Sequence, residues 1–150
     1  MLIQFIEYTK SFLDKSWVWL NDPEIKALTS TPDFSKEEQL KWFHSLSYRK
    51  DYLIWGVLID QKPIGVFGLK NITNKTAEYW GYIGEKEYWG IGVGSIIIEE
   101  AQRIAISMGI DSLYLNVVKE NTRAQKLYQK KGFVICDRSN KWLLMKLELK

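Results

Sequence analysis

The part of the sequence best suited to chemistry is a glycine-rich run near its middle. Glycines stand at alternate positions, Gly90, Gly92 and Gly94, and Ser95 follows them. Because glycine has no Cβ, successive backbone N–H groups of such a run can point into one concavity. A long amphipathic pattern follows, and the positive end of a helix dipole also favours an anion. The run therefore predicts a loop that binds a phosphate or pyrophosphate, and the alternative is a flexible turn before a glycine-tolerant helix.

Two common nucleotide-binding loops do not match this run. A Rossmann fingerprint needs a glycine at its sixth position, which here is Ser95. A P-loop needs a glycine followed by Lys and then Ser or Thr, and no glycine of the chain is followed in that way. The loop therefore favours neither NAD nor ATP as its ligand.

Composition and cysteine content exclude further classes of protein. The chain has 150 residues, of which 46% are hydrophobic and 26% are charged, as in a single globular domain over residues 1–150. Its apolar runs are too short to cross a bilayer and its first residues lack a signal-peptide pattern, so we expect a cytoplasmic protein without a membrane partner. One cysteine, Cys136, and one histidine, His44, allow no internal disulfide and no zinc cluster, so no metal is expected. We expect Cys136 to be a core residue of a strand.

Hydrophobic periodicity and turn residues predict the elements that must position the loop. Seven segments are predicted strands: 2–8, 52–59, 64–72, 76–83, 112–118, 133–137 and 142–149. Amphipathic segments, several of them with capping residues, are predicted helices: 11–20, 23–28, 35–48, 94–108 and 122–131. This order predicts an α/β (α+β) fold, in which a mixed central β-sheet of about seven strands is flanked by about four to five α-helices.

Two motifs of the sequence resemble those of a known family. The run 81–94 is similar to motif A of the GNAT superfamily of acetyl-CoA-dependent N-acetyltransferases, which is Gln/Arg-x-x-Gly-x-Gly/Ala after a strand. The run 121–133 resembles motif B, which is Asn-x-x-Ala-x-x-x-Tyr-x-x-x-Gly-Phe. Trp89 stands where many members have Gln or Arg, and this Tyr-Trp-Gly variant resembles the branch that contains ribosomal-protein N-terminal acetyltransferases and acetyltransferases of nucleotide-linked aminosugars. The resemblance implies a GNAT fold and an N-acetyltransferase activity.

The resemblance also implies roles for individual residues. Acetyl-CoA would be the co-substrate, and the loop residues would hold its pyrophosphate: Gly90, Ile91, Gly92, Val93, Gly94 and Ser95. Strand and helix residues would contact its pantetheine arm: Tyr82, Ile83, Asn121 and Ala124. From its helical spacing, Tyr128 shares the inward face of Ala124 and Leu127, and it is either an acid that projects near the strand ends or a core tyrosine with its hydroxyl at the edge. In the family this tyrosine donates a hydrogen bond to the departing thiolate, so Tyr128 is the candidate general acid.

The sequence contains more than one candidate for the general base that accepts the proton of the amine. Glu78 is the candidate general base because it lies on the predicted strand that enters the implied site. His44, on the predicted helix that would border the acceptor cleft, and a water-mediated route are the alternatives. For both residues a plain surface role remains open.

The expected reaction is direct transfer of an acetyl group onto a primary amine, with a nucleotide-linked 4-amino sugar as the favoured acceptor. The run 19–25, followed by Trp42 and Phe43, is similar to acetyltransferases of UDP- or dTDP-linked 4-amino sugars. Protein N-terminal or other small-molecule acetylation and a non-catalytic acyl-CoA-binding module are the alternatives. Aromatic residues of the N-terminal half are candidates for stacking on the acceptor: Trp17, Trp19, Trp42, Phe43, Tyr48, Tyr52 and Trp55. No motif for reading nucleic acid is present, and a monomer or a homodimer is expected.

Overall fold

Seven strands form one mixed sheet in the computed structural model, which describes residues 1–150. The strands are β1 (Ile3–Glu7), β2 (Leu53–Ile59), β3 (Lys62–Lys70), β4 (Thr76–Ile83), β5 (Ser112–Val118), β6 (Val134–Arg138) and β7 (Trp142–Glu148). Their order in the sheet is β1-β2-β3-β4-β5-β7-β6, and only β4 and β5 are parallel neighbours. The helices are α1 (Lys10–Asn21), α2 (Pro23–Thr29), α3 (Lys36–Ser45), α4 (Val93–Ser107) and α5 (Thr122–Lys130). The predicted mixed sheet flanked by helices is confirmed.

Helices cover both faces of the sheet. The larger core lies between the sheet and α4, with side chains of α5 packed at its border; we call this side the α4 face. The smaller core lies between the sheet and α1, α2 and α3, on the side that we call the α1 face. Along β4, Ala77 and Tyr79 lie in the core of the α4 face, whereas Trp80 and Tyr82 pack on the α1 face. Because side chains alternate along a strand, Glu78 lies on the α1 face.

Capping residues define the starts of two helices, and a tight turn joins β2 to β3. Asp22 caps α2, which begins with Pro23. Ser35 and Glu38 form a capping box at the start of α3. The turn between β2 and β3 is made by Asp60 and Gln61 with φ of 48° and 71°, the left-handed geometry that lets a two-residue turn follow the strand twist. None of the helices combines the length and apolarity that crossing a bilayer requires.

The strands β4 and β5 pair only at their beginnings and then separate. Their pairing ends at Glu78 and Tyr114, although β4 continues to Ile83 and β5 to Val118. Strands that separate leave backbone N–H and C=O groups without their ladder partners. The two central strands therefore enclose an open wedge, which we call the β4–β5 gap.

The expectation for Cys136 is wrong, because its thiol is exposed rather than in the core. The residue lies in β6, the edge strand of the sheet, where the register to β7 shifts between Ile135 and Asp137. Such a bulge takes the extra residue out of the regular in–out alternation, and an edge strand has no neighbour on its outer side.

Candidate active site

The glycine-rich loop between β4 and α4 presents a row of unpaired backbone donors. None of the six N–H groups from Gly90 to Ser95 donates a hydrogen bond within the chain. Gly90 and Gly92 have φ of +73° and +92°, and nothing lies within 4 Å of the place that a Cβ would take at either residue. The helix α4 begins here without a side-chain cap and without an acidic residue in its first turn. The free donors, the open space and the helix dipole together fit a pyrophosphate group.

Trp89, directly before this loop, ties it to the end of β4. Its indole N–H donates a hydrogen bond of 2.9 Å to the carbonyl oxygen of Ile83, which leaves the N–H of Ile83 for another partner. The guanidinium of Arg123 on α5 lies 5.3 Å from the centroid of the Trp89 ring, and the ammonium of Lys86 lies 5.9 Å from it. Trp89 therefore joins β4, the loop and α5 at one end of the β4–β5 gap.

The backbone groups of β4 that face the gap belong to Gly81 and Ile83. In an antiparallel pair, residues that bond to the partner strand alternate with residues whose groups point away from it. The 2.7 Å bond from the N–H of Gly84 to the carbonyl of Ile64 fixes this alternation between β3 and β4. The backbone of Tyr82 therefore faces β3 and is not available to a pantetheine arm in the gap. On this strand the backbone groups of Gly81 and Ile83 face the gap, and the cofactor contacts of Tyr82 and Ile83 stay a prediction.

The side chain of Tyr82 belongs instead to a cluster of hydroxyl groups on the α1 face. Its hydroxyl donates to the Ser16 Oγ at 3.0 Å, and the Tyr8 hydroxyl lies 2.9 Å from the same oxygen. Burial raises the pKa of Tyr8 to about 12, and it also raises the pKa of Tyr82. The cluster fixes β4 against α1 and so holds one wall of the gap.

Tyr128 of α5 borders the gap on the α4 face. Its ring packs edge-to-face against Tyr79 of β4, with centroids 6.1 Å apart, and it also packs against Phe133. Burial alone raises the pKa of Tyr128 to about 12, so its hydroxyl stays protonated near neutral pH and can act as a donor. The hydroxyl of Tyr79 lies only 2.7 Å from the place that a Cβ would take at Gly81. Because Gly81 has no Cβ, the Tyr79 hydroxyl can contact the Gly81 backbone beside the gap.

Asn121 and Ala124 already bond to each other within the fold. The side-chain oxygen of Asn121 caps α5 by accepting the N–H of Ala124 at 3.2 Å, and its amide donates to the carbonyl of Leu28 at 3.4 Å. The methyl group of Ala124 packs against the larger core. These bonds set the start of α5 and with it the position of Tyr128, and the contacts of Asn121 and Ala124 with pantetheine stay a prediction.

Glu78 lies at the point where β4 and β5 separate, beside a cavity on the α1 face. One carboxylate oxygen accepts a hydrogen bond from the amide of Asn71 at 3.0 Å, and the other accepts one from Asn116 at 3.3 Å. The ammonium of Lys70, directly opposite in the β3–β4 register, lies 3.9 Å away, and the Glu78 side chain is 12% exposed. The cavity has a volume of about 390 Å³ and is lined by Lys70, Glu78, Asn116, Ser139 and Trp142. Glu78 is thus an oriented carboxylate that a ligand can reach.

The alternative base and the predicted aromatic platform lie elsewhere. His44 is exposed in the last turn of α3 and does not line this cavity. None of the seven aromatic residues proposed for stacking lines this cavity either. Among them, Trp19 is buried, Tyr48 is 83% exposed and Trp55 stacks on Phe67. The aromatic residue at the cavity is Trp142, which the sequence showed only as the first residue of the last predicted strand.

Comparison with known proteins identifies the class to which this fold and site belong. Residues 14–133 match the acetyltransferase (GNAT) family. The chain belongs to this family and is an acetyl-CoA-dependent N-acetyltransferase.

Two kinds of relative stand out among the similar proteins. The acetyltransferase PseH of Campylobacter jejuni is 30% identical over 138 residues, which are 91% of this chain and 85% of that protein. The crystal structure of C. jejuni PseH in complex with acetyl coenzyme A superposes with a TM-score of 0.76 at 25% identity, over 98% of this chain and 99% of that one. The spermidine N(1)-acetyltransferase of Thermoplasma acidophilum is 32% identical over 104 residues, which are 69% of this chain and 64% of that protein.

Proposed function

We propose that the protein transfers the acetyl group of acetyl-CoA to the primary amine of a nucleotide-linked 4-amino sugar. The observation that carries the proposal is the arrangement around the β4–β5 gap: the cavity at Glu78 opens on the α1 face, and Tyr128 borders the gap on the α4 face. The amine can therefore enter the gap from the α1 face, while the thiol group leaves on the α4 face. The resemblance to aminosugar acetyltransferases and the similarity to PseH support the class of acceptor.

The α4 face and the loop suit the acetyl-CoA side of the reaction. The unpaired N–H groups from Gly90 to Ser95 hold the pyrophosphate. The N–H groups of Gly81 and Ile83 line the gap in the position of donors to the pantetheine arm and to the acetyl carbonyl. When bound, acetyl-CoA supplies an activated acetyl thioester.

The proton transfers fall to two residues on opposite sides of the sheet. Glu78 accepts a proton of the amine, directly or through a water molecule, as the new C–N bond forms. Tyr128 donates its proton to the sulfur atom as the C–S bond breaks. The amide groups of Asn71 and Asn116 orient the carboxylate of Glu78 for this role, because each oxygen is fixed by a hydrogen bond.

A panel of acceptors tests the proposal. Acetyl-CoA turnover is measured with a UDP-linked 4-amino sugar, the free 4-amino sugar, a peptide with a free N-terminus and spermidine. We expect the highest kcat/KM for the nucleotide-linked sugar, because binding energy from the nucleotide helps to position the amine. A higher kcat/KM for the peptide or for spermidine would overturn the proposed acceptor and leave the acetyltransferase activity standing.

A pair of variants tests the base. Glu78→Gln keeps the shape of the side chain but cannot accept the proton, so we expect kcat to fall roughly 10²-fold or more. His44→Gln is the matched control, since His44 lies outside the cavity, and its kcat should equal that of the native protein. A Glu78→Gln variant with native kcat, or a His44→Gln variant with the loss, would exclude Glu78 as the base.

A further inference from the structure

Tyr79 is the first residue of β4 beyond the pairing with β5, and its side chain lies in the core of the α4 face. Its hydroxyl oxygen lies 2.7 Å from the place that a Cβ would take at Gly81. Because Tyr79 and Gly81 are on the same face of the strand, the ring leans along β4 in the direction in which the β4–β5 gap widens. The hydroxyl therefore lies beside the gap, past the point at which the two strands separate.

The Tyr79 hydroxyl has no hydrogen-bond partner within the chain, unlike the hydroxyl groups of the α1 face that meet at Ser16. Only two fully buried side-chain polar atoms lack a partner, the indole nitrogen of Trp80 and the amide nitrogen of Gln102. The Tyr79 oxygen, which also lacks one, is therefore not fully buried. Tyr79 is 5% exposed in total, and this small exposed area includes a donor that a ligand in the gap can reach.

Tyr128 provides a second hydroxyl next to the first. The two rings pack edge-to-face with centroids 6.1 Å apart, but the hydroxyl groups of Tyr79 and Tyr128 do not bond to each other. Burial raises the pKa of Tyr128 to about 12 and that of Tyr79 well above its usual value, so both groups keep their protons near neutral pH. Both hydroxyls therefore remain available as donors to a third atom.

The proposed position of acetyl-CoA brings its sulfur atom to this pair of hydroxyls. The pyrophosphate lies at the loop that follows β4, so the pantetheine arm passes Ile83 first and Gly81 next as it enters the gap. The thioester at the end of the arm therefore lies nearest to the point where the strands separate, at Glu78 and Tyr79. Glu78 faces the α1 face there, and the Tyr79 hydroxyl lies on the α4 face, where the thiol group leaves.

We infer that Tyr79 is a further catalytic residue, whose hydroxyl donates a hydrogen bond to the sulfur atom of acetyl-CoA as that atom leaves. The electron pair of the breaking C–S bond goes to the sulfur, which takes the proton of Tyr128, while Tyr79 keeps its own proton. A hydrogen bond to a charged acceptor is stronger than one to a neutral acceptor, so this contact stabilises the departing thiolate more than the thioester. The inference rests on the proposed function, specifically on its placement of acetyl-CoA in the gap.

Titrations with CoA and with desulfo-CoA test the contact without an acceptor. The two ligands differ only in the thiol group, and a free thiol ionises near about pH 8.5. Because both tyrosine hydroxyls are still protonated there, we expect the affinity of the native protein for CoA, relative to desulfo-CoA, to rise between about pH 7 and 9. Tyr79→Phe should lower this affinity ratio at about pH 9 roughly tenfold, with native affinity for desulfo-CoA. The matched control is Tyr8→Phe, which removes a buried hydroxyl of the α1 face and should leave the ratio unchanged.

Two further measurements separate a contact with the sulfur from an indirect effect. In a protein that already carries Tyr128→Phe, the additional change Tyr79→Phe should still lower the ratio. With any acceptor that the native protein acetylates, Tyr79→Phe alone should lower kcat roughly tenfold and leave the KM of that acceptor native. Thermal melts check that the variants are folded.

A native ratio or a native kcat in folded Tyr79→Phe would overturn the inference. An equal loss of affinity for CoA and desulfo-CoA would also overturn it, because the hydroxyl would then contact the pantetheine arm. No further loss in the double variant would mean that Tyr79 acts through Tyr128 and does not touch the sulfur. The titrations contain no acceptor, so their failure leaves the proposed acceptor standing, and failure of that acceptor in the panel leaves the role of Tyr79 standing.

Discussion

The indole N–H of Trp89 donates a hydrogen bond of 2.9 Å to the carbonyl oxygen of Ile83, across the turn that leads from β4 into the phosphate loop. Ile83 faces the β4–β5 gap, so this bond satisfies a carbonyl that would otherwise lack a strand partner. Where the family motif commonly has Gln or Arg, this chain thus uses an aromatic donor to brace its own loop. The guanidinium of Arg123 lies 5.3 Å from the centroid of the same ring and adds α5 to the contact.

Removal of this donor should loosen the loop. Trp89→Phe keeps an aromatic ring for Arg123 but cannot donate to Ile83, so we expect acetyl-CoA to bind several-fold more weakly, in line with the loss of one hydrogen bond of about 1 kcal/mol. Isothermal titration of acetyl-CoA measures this. The matched control is Trp55→Phe, because Trp55 stacks on Phe67 away from the loop. Native affinity in a folded Trp89→Phe protein would show that the brace does not contribute to the cofactor site.

Two glycines with similar backbone conformations allow the effect of a substitution on acetyl-CoA binding to be distinguished from its effect on stability. Gly92 and Gly109 both have positive φ, +92° and +77°, and nothing lies within 4 Å of an added Cβ at either. They flank the two ends of α4. Alanine at each should cost stability by a similar amount, about 1–2 kcal/mol, because an L-residue is strained in this conformation. Only Gly92→Ala should also weaken acetyl-CoA binding, roughly tenfold or more, because its methyl group enters the phosphate concavity.

Thermal melts and acetyl-CoA titrations of both variants check this prediction. Equal affinity for acetyl-CoA in Gly92→Ala and Gly109→Ala would mean that the concavity beside Gly92 does not hold the pyrophosphate. A stability loss confined to one of them would contradict the strain argument.

Local signals in the sequence predict the elements and the phosphate loop, because each of these depends on residues close together in the chain. The Ser35–Glu38 capping box and the alternating glycines are examples, and both are found in the structure. That the backbone groups of Gly81 and Ile83 face the gap, whereas those of Tyr82 face β3, could not be predicted in this way. Which backbone groups of β4 face the gap depends on the register with β3, and a shift of one residue reverses the answer.

The lining of the cavity at Glu78 could not be predicted for a related reason. Lys70, Asn116 and Trp142 lie on β3, β5 and β7, and they meet because the sheet order places β7 next to β5. Periodicity along one segment contains no information on which distant strand becomes its neighbour. An aromatic residue at the start of the last strand, among mostly apolar residues, gives no local sign that it reaches a site.

Buried tyrosines should make the fold sensitive to high pH. Burial raises the pKa of Tyr8 to about 12 and that of Tyr79 well above its usual value. In the unfolded chain both lose a proton near pH 10, so the native state binds more protons above that pH. The stability they contribute is complete below pH 10 and falls with rising pH, by about 1.4 kcal/mol per pH unit for each tyrosine.

Urea denaturation at several pH values between about 9 and 12 measures this slope. Tyr79→Phe should make the free energy of unfolding less steep in pH, whereas Tyr48→Phe, at an exposed site, should leave the slope as it is. A slope that Tyr79→Phe does not change would contradict the assignment of the effect to this residue.

Tyr128→Phe tests the proposed acid with little disturbance of the packing. The ring keeps its contacts with Tyr79 and Phe133, but the donor to the sulfur is lost and water must replace it. General-acid assistance is typically worth about 10²–10⁴-fold, and partial replacement by water lowers the expected loss of kcat to about 10–10²-fold. Acetyl-CoA affinity and the melting temperature should remain close to native. Steady-state kinetics, an acetyl-CoA titration and a thermal melt measure the three quantities.

The pH dependence of kcat gives the same hypothesis a second readout. A tyrosine with the usual pKa of about 10 would begin to lose its proton at pH 9. Because burial raises the pKa of Tyr128 to about 12, the acid stays protonated through pH 10, and its ionisation should produce no fall of kcat below that pH. Tyr128→Phe should therefore lower kcat by the same factor at every pH between about 7 and 10. Native kcat in a stable Tyr128→Phe protein would return Tyr128 to a packing role. A fall of native kcat between about pH 8 and 9 that is absent in Tyr128→Phe would contradict a raised pKa of Tyr128.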